Sequence, residues 1–222
     1  MVEASAARES IYQQFARVGK ALASSKRLEL IDVLAQGERT VEALAQAAAL
    51  KITTASAHLQ TMHQSGLVTN RKVGNRVYYR LAGTEVLDAF AAVQRVAHSQ
   101  LAATERATRE FLGDDEQAPV GRAELADILR TGPVVVVDVR GEEEFDAGHI
   151  DGALCLPFDR LTDHIGALPD DVEIVVYGRS AYCARPYAAV RLLRSKGKAA
   201  RRLDGGLVEW LLERRPTIPT RA

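Results

Sequence analysis

The stretch Lys51–Leu81 constrains the fold of this chain more than any other. Four apolar residues, Ile52, Ala55, Leu59 and Met62, recur at spacings of three and four, which predicts a helix with one buried face. The opposite face carries short polar side chains with almost no charge, a composition that suits close approach to base edges and phosphates. The residues predicted to contact DNA from this face are Thr53, Thr54, Ser56, Ala57, His58, Gln60 and Thr61.

A basic β-hairpin is predicted to follow this helix. Gly66 suits the left-handed position after the last helical turn. Leu67–Thr69 and Val77–Leu81 have the composition of strands, and the segment between them forms the hairpin tip. Its cationic side chains, Arg71, Lys72 and Arg76, complete the predicted DNA contacts. A helix followed by a basic hairpin indicates a mainly-α winged helix-turn-helix with a β-hairpin wing.

The residues before Lys51 supply the remaining helices of such a domain. Ser25–Gln36 is predicted to be an amphipathic helix, and Thr40 is predicted to cap the helix that contains Val41, Leu44 and Ala48. The run RLELIDVLAQGERTVEALAQAAALKITTASAHLQTMHQSGLV resembles the ArsR/SmtB family of bacterial repressors. This resemblance implies a transcriptional repressor, acting as a homodimer that binds a palindromic operator in double-stranded DNA.

Two further helices are expected to form the dimer interface. Ser10–Ala23 carries Ile11, Phe15 and Val18 on one face, and Thr84–Leu112 is predicted to be one long helix with an apolar stripe. In the ArsR/SmtB arrangement the first and last helices pair the subunits. So small a domain cannot bury the whole apolar stripe of a helix of that length, so a second subunit is expected to bury it.

Composition limits the compartment and the partners. The 222 residues contain two cysteines, too few for a disulfide framework, which favours a reducing cytoplasm. An apolar run of about 18 residues is missing, so no membrane span is expected. Residues 1–112 hold 14 Lys and Arg against 10 Asp and Glu, whereas residues 113–222 hold 15 against 19, so the half with the winged helix is the basic one.

The second half of the chain is predicted to be an α/β domain. We expect a DNA-binding and dimerisation domain at 1–112, a linker at 113–121 that is acidic and contains Pro119, and a second domain at 122–222. The β-branched run Val134–Val139 and the run Ile174–Tyr177 are typical of strands buried on both faces. Helical segments alternate with them, which indicates a parallel sheet.

Two motifs in this half resemble those of rhodanese domains. VVDVRGEEEFDAGHIDGALCLP matches their opening signature, and RRLDGGLVEW matches their closing one. The resemblance implies a fold that carries sulfur as a cysteine persulfide just after the central strand. In that family the backbone N–H groups of a loop and the N-terminus of the next helix stabilise the thiolate.

The residue at the family's nucleophile position is Gly178, which excludes sulfur transfer there. Three interpretations remain open: a degenerate domain that binds an oxyanion or serves as an interaction module, a sulfurtransferase that uses Cys183, or a substitution of an original cysteine. The domain is therefore predicted to bind or sense a small sulfur species or oxyanion, and its enzymatic activity stays open. The predicted anion-binding loop consists of Gly178, Arg179, Ser180, Ala181, Tyr182, Cys183 and Ala184.

Other candidate side chains have structural interpretations. Cys155 falls in a predicted strand and is expected to be a core residue. Arg140 and His149 belong to the opening signature and are expected to support the fold. Asp88 and His98 are ten residues apart and are not neighbours on one helix face, so neither a metal site nor a cofactor is predicted.

Overall fold

The computed structural model describes residues 2–220 and the side chains of residues 6–220. The chain divides into two compact units, Met1–Gln94 and Arg95–Ala222. They have the two predicted folds, a winged helix-turn-helix and an α/β domain with a parallel sheet. Within residues 2–220, helices that combine the length and the apolar character needed to cross a membrane are absent.

The first unit consists of helices packed on a three-stranded antiparallel sheet of order β1-β3-β2. Its core contains Leu30, Leu44, Leu59 and Met62, all fully buried, contributed by three successive helices. The elements are α1 (Val2–Leu22), α2 (Ser25–Leu34), β1 (Arg39–Thr40), α3 (Val41–Ala47), α4 (Ile52–Gln64), β2 (Val68–Val73), β3 (Arg76–Leu81) and α5 (Thr84–Gln100), the last of which continues into the second unit.

Local chemistry fixes the ends of these helices. The Thr40 hydroxyl oxygen accepts a hydrogen bond from the Ala43 N–H at 3.2 Å, so the predicted cap of α3 is confirmed. Ala49 has a φ of 50° in the predicted turn between α3 and α4. Gly66 has a φ of 74° directly after α4, the left-handed conformation that the sequence predicts there.

Two sequence predictions for this unit are wrong in detail. Ile52 was assigned to the buried face of α4 but is 54% exposed, because it is the first helical residue and lies beyond the core. The wing tip is shorter than predicted: Val73 pairs with Arg76, so the turn is Gly74–Asn75 and the Arg71 and Lys72 side chains belong to β2. Gly74, with a φ of 59°, permits this two-residue turn.

The prediction of one helix over Thr84–Leu112 is also wrong. The chain leaves the helical conformation at Leu101, where φ is −116° and ψ is 97°, and helix α6 begins at Ala102 and ends at Leu112. In the second unit α6 packs against helix α10 (Ala184–Ser195), and Leu112 is buried. Neither Gly nor Pro interrupts the stretch, so tertiary packing, and not local propensity, accounts for the break.

The second unit is a four-stranded parallel sheet of order β5-β4-β6-β7 with helices on both faces. One buried cluster centres on Val137 and Val176, and a second on Val136 and Val175, because alternate strand residues point to opposite faces. The remaining elements are α7 (Arg122–Thr131), β4 (Val134–Asp138), α8 (Glu142–Ala147), β5 (Leu154–Cys155), α9 (Leu161–His164), β6 (Glu173–Tyr177), β7 (Ala200–Arg202) and α11 (Leu207–Leu212).

The acidic segment before α7 is attached to the second unit. Asp115 forms an ion pair with Arg202 at 2.6 Å, and Glu116 forms one with Arg194 at 3.3 Å. Val120 is fully buried and bridges to Leu203 beside β7. The segment that the sequence suggests as a linker therefore contacts both β7 and α10.

We predict that Thr40→Ala lowers the free energy of unfolding by about 1 kcal/mol, because α3 loses the side-chain acceptor at its N-terminus. Urea unfolding followed by circular dichroism measures this change. Thr54→Ala, on an exposed position of α4, serves as the matched control and should stay close to the parent. Equal losses in the two variants would contradict a capping role for Thr40.

Candidate DNA interface and 178–184 loop

The exposed face of α4 is polar and uncharged, as its sequence predicts. Ala55, Leu59 and Met62 are fully buried and fix the orientation of the helix. Among the predicted DNA-contacting residues, Ser56 and His58 are half-buried. The exposed ones are Thr53, Thr54, Ala57, Gln60 and Thr61. The Thr61 hydroxyl donates to the Ala57 carbonyl oxygen at 3.1 Å, so this hydroxyl group is already held by the helix backbone.

The three cationic residues predicted in the wing are in two different environments. Arg71 forms a bidentate ion pair with Glu38, with Nε 2.9 Å from each carboxylate oxygen, and its guanidinium lies 4.9 Å from the centre of the Tyr78 ring. The hydrogen bonds that Arg71 donates to the Glu38 carboxylate raise the pKa of Arg71 above its usual value. Lys72 and Arg76 are exposed on the same hairpin. Sequence reasoning missed Glu38, because the sheet register brings it beside Arg71.

The 178–184 loop follows β6, as the sequence predicts, but its last predicted residue, Ala184, is the first residue of α10. Gly178 is buried, and the position that a Cβ atom would take there is already crowded. A Cβ atom at residue 178 would lie 2.8 Å from Pro186 Cγ and 3.0 Å from Cys183 Sγ. The thiol of Cys183 therefore lies directly beside the position that the side chain of residue 178 would occupy.

Arg179 is anchored by a buried carboxylate. Its Nε donates to Glu144 Oε1 at 2.6 Å and its Nη2 donates to Oε2 at 3.1 Å. Burial by itself would raise the pKa of Glu144, but the hydrogen bonds and charge of Arg179, the Gly141 N–H and the charge of Arg140 together outweigh burial and lower the net pKa. The same carboxylate accepts from the Gly141 N–H at the start of α8. Arg179 is thus held in place by Glu144.

A second carboxylate binds the middle of the loop. The Ala181 N–H donates to both oxygens of Glu209 at 3.2 Å, and the Gly206 N–H donates to one of them at 2.8 Å. One of the backbone donors expected to hold an anion is therefore already paired with a protein carboxylate. Glu144 and Glu209 share a signal that sequence reasoning missed: each is the third residue of a helix that begins after a glycine.

Ser180 and Cys183 are the first and last residues of a tight turn. The Cys183 N–H donates to the Ser180 carbonyl oxygen at 3.1 Å. Ser180 is 2% exposed, and within the described residues its hydroxyl oxygen has no hydrogen-bond partner. Cys183 is half-buried and is the residue preceding the first turn of α10, with no side-chain cap there.

Tyr182, between these residues, contacts the end of α5. Its ring stacks on His98 with centroids 5.7 Å apart and an interplanar angle of 17°. The Tyr182 hydroxyl group and His98 Nε2 are also within hydrogen-bonding distance. Both residues belong to the second unit. In the sequence analysis, His98 is considered only as a metal ligand and is rejected. Its contact with Tyr182 cannot be predicted from residue spacing.

The other signature residues support the sheet. Arg140 is 1% exposed, pairs with Asp138, and donates from Nη2 to the Gly148 carbonyl oxygen at 2.8 Å. His149 is buried and stacks on Phe145 with ring centroids 3.6 Å apart. Burial and the nearby Asp138 carboxylate raise the pKa of the Cys155 thiol. Clusters of three or more His, Cys, Asp or Glu suited to a metal ion are absent from residues 2–220.

Each half of the chain matches a known protein family. The model of the bacterial regulatory protein arsR family matches residues 24–70, and that of the rhodanese-like domain matches residues 122–213. HTH-type transcriptional regulator Rv0324 of Mycobacterium tuberculosis is 48% identical over 203 residues, which cover 91% of this chain and 89% of that protein. A sulfurtransferase of Allochromatium vinosum is 33% identical over 89 residues, 40% of this chain and 81% of that protein.

A solved structure also matches the first half. It is the solution structure of the homodimeric winged helix-turn-helix DNA-binding domain, fragment 1–100, of a possible ArsR-family regulator from Mycobacterium bovis. The identity is 51%, the match covers 43% of this chain and 89% of that one, and the TM-score is 0.41. On the family match and the relative that spans nearly the whole chain, this protein belongs to the ArsR family of transcriptional regulators and carries a C-terminal rhodanese-like domain.

The buried Glu144–Arg179 pair predicts a pH-dependent stability. Because its folded pKa lies below the usual value of 4.5, Glu144 stabilises the fold above that pH and loses this contribution as the pH falls through the lowered pKa. Glu144→Gln should therefore cost about 1–3 kcal/mol near pH 7 and progressively less toward pH 3. Urea unfolding across this range tests the prediction, with the exposed neighbour Glu143→Gln as the control.

A constant difference between Glu144→Gln and the parent at all pH values would contradict the pairing. The same follows if Glu143→Gln changes stability as much as Glu144→Gln does.

Proposed function

We propose that this chain is a transcriptional repressor that binds operator DNA as a homodimer and responds to a small sulfur species through its rhodanese-like domain. The observation that carries the DNA-binding part is the exposed, uncharged polar face of α4, next to a hairpin with exposed cations. A solvated helix face of ordinary composition would carry charges, whereas short polar groups can approach base edges. Because DNA is the proposed target, we also propose that the protein acts in the cytoplasm.

The wing is proposed to contact the DNA backbone. Lys72 and Arg76 are exposed and form no ion pair within residues 2–220, so both can neutralise phosphates without first breaking one. Arg71 differs, because it would have to exchange Glu38 for a phosphate or contact DNA while still paired. We therefore assign the larger phosphate contribution to Lys72 and Arg76, and a positioning role in the hairpin to Arg71.

The homodimer is proposed from the apolar surface of α1. Ile11, Tyr12 and Phe15 are 54%, 57% and 64% exposed in the isolated chain, and Val18 is 37% exposed. Phe15 follows Ile11 by four residues and Tyr12 by three, and Val18 follows Phe15 by three, so they form one stripe along the helix. A contiguous apolar stripe of this kind marks an interface, and a second copy of α1 would cover it.

The sensing role is proposed from the contact between the loop and α5. Tyr182 lies next to Cys183 in the chain and stacks on His98, near the end of α5. Helix α5 begins among the buried residues of the first unit, including Val86 and Phe90. A ligand that displaces Tyr182 would thus change the contacts of a helix that is covalently continuous with the DNA-binding unit.

The first test measures DNA binding in an electrophoretic mobility-shift assay with the native upstream region. Replacing Lys72 and Arg76 with Ala should weaken binding to all sequences and lower the salt dependence by about 0.9 per lost phosphate contact. Gln60→Ala should relax discrimination at one base pair by about 1–3 kcal/mol. Lys196→Ala removes an exposed positive charge at the C-terminal cap of α10, in the second unit and not in the wing, and is the control. Unchanged DNA binding in the Lys72/Arg76 variant and in Gln60→Ala would contradict the proposed DNA surface.

The second test concerns the subunit interface. Phe15→Glu combined with Ile11→Glu should convert the dimer to a monomer, because two buried charges at the interface would lack partners. Gln13→Glu adds a charge at an exposed polar position of the same helix and should leave the dimer intact. Light scattering at micromolar concentration distinguishes the states. A parent protein that is monomeric, or a double variant that stays dimeric, contradicts the assignment of α1.

A further inference from the structure

We propose that the rhodanese-like domain binds a small apolar molecule with one positive charge, at a site outside the 178–184 loop. The site is a cavity of about 720 Å³ on the face of the sheet that α7 and α11 cover. Small-molecule pockets measure roughly 300–1,000 Å³, so this cavity is large enough for a compact organic ligand. The proposal goes beyond the proposed function and does not depend on it. The lining residues that carry the argument are Ala126, Ile150, Asp151 and Trp210.

Small side chains on α7 leave the space, and core residues supply an apolar base. Ala123, Ala126 and Leu129 line the cavity at spacings of three, so they lie along one side of the helix. Ile150 and Trp210, which are 1% and 4% exposed, line it from the core cluster of the same sheet face. A ligand in this cavity would therefore bury apolar surface against alanine, isoleucine and tryptophan side chains.

The segment after α11 completes the cavity and is held by hydrogen bonds. Arg215 and Pro216 line the cavity from this segment. Trp210 Nε1 donates to the Pro216 carbonyl oxygen at 2.9 Å. Two residues further on, the backbones of Ile218 and His149 exchange a pair of hydrogen bonds, each of 2.9 Å. The wall is therefore formed without a ligand, which lowers the entropic cost of binding one.

Both cationic side chains of the lining already have carboxylate partners. Arg130 Nη2 lies 2.5 Å from Asp127 Oδ1, and Arg215 Nε lies 2.6 Å from Glu213 Oε2. The Arg215 guanidinium also lies 5.2 Å from the centre of the Trp210 ring. An anionic ligand would have to displace these carboxylates from the arginines, and their negative charges would repel it. The lining therefore disfavours an anion.

Asp151 gives the cavity an unpaired negative charge. It is an exposed lining residue, and within residues 2–220 it forms no ion pair. Asp151 follows Ile150 directly, so this carboxylate adjoins the apolar base of the cavity. A Cβ at the next residue, Gly152, would meet no heavy atom within 4 Å, so the space beside this turn is open. The complementary ligand has an apolar body for the base and an ammonium group for Asp151.

The test titrates the full chain with adamantylamine, a rigid hydrocarbon cage with one ammonium group at pH 7. Trp210 is the only tryptophan of the chain, so tryptophan fluorescence reports on the cavity. We expect a saturable fluorescence change with the amine, weaker binding of adamantanol and the weakest binding of adamantane carboxylate, because only the charge differs among the three. The midpoint of thermal unfolding, followed by the same fluorescence, should rise with the amine concentration.

Variants separate the cavity from its charge. Ala126→Phe fills the cavity and should weaken binding of the amine about ten-fold or more. Ala123→Phe, at an exposed lining position, repeats this block with less risk to the core, and Ala103→Phe, at an exposed position of α6, is the control for both. Asp151→Asn should weaken the amine about two- to five-fold and leave adamantanol unchanged, because an exposed ion pair is worth little. The exposed Glu143→Gln is its control.

Circular dichroism first establishes that each variant is folded. The site is overturned if the parent shows no saturable response to the amine in either measurement. It is also overturned if the amine binds a folded Ala123→Phe protein as tightly as it binds the parent. The assigned ligand class is overturned if adamantane carboxylate binds as tightly as the amine, or if Asp151→Asn leaves the affinity for the amine unchanged.

Discussion

Two glutamates in the first turns of helices determine the shape of the 178–184 loop. Glu144 accepts from Gly141 at the start of α8 and also binds Arg179, and Glu209 accepts from Gly206 at the start of α11 and also binds the Ala181 N–H. Each carboxylate therefore satisfies a helix terminus and a part of the loop at once. The loop is held from both sides by groups whose positions are set by the sheet. Its conformation is consequently fixed by contacts within the fold.

Close backbone packing adds a second constraint. A Cβ at Gly206 would lie 2.7 Å from both the Gly178 carbonyl oxygen and the Ser180 nitrogen, so the start of α11 touches the loop backbone directly. The Leu207 N–H donates to the Gly178 carbonyl oxygen at 3.0 Å across this contact. With the backbone fixed on this side, the free volume near residue 178 is decided by side chains alone. Removing the Cβ at 178 leaves room that Cys183 Sγ and the Pro186 ring fill.

The sequence predicts the fold better than it predicts the contacts of the sites. Apolar periodicity identifies α4 and its buried residues because each helical turn repeats the pattern, and the β-branched runs identify β4 and β6. It fails at Leu101, where tertiary packing interrupts a stretch of good helical propensity, and it misses β1, which has two residues. The pairs that shape the sites, Glu38 with Arg71 and Glu144 with Arg179, join residues more than thirty positions apart. Only the tertiary fold brings such residues together.

In the proposed sensing role, helix α5 would be the route from the loop to the first unit, because the helix is covalently continuous between them. Helix α5 carries buried residues of the first unit near its start and His98 near its end, where the Tyr182 ring stacks on it. Tyr182 precedes Cys183 directly, so a change at the thiol is one peptide unit away from this ring. A stacked ring pair with one hydrogen bond is worth a few kcal/mol at most. An effect of that size is comparable to the coupling free energies of about 1–3 kcal/mol that suffice to change ligand affinity severalfold or more.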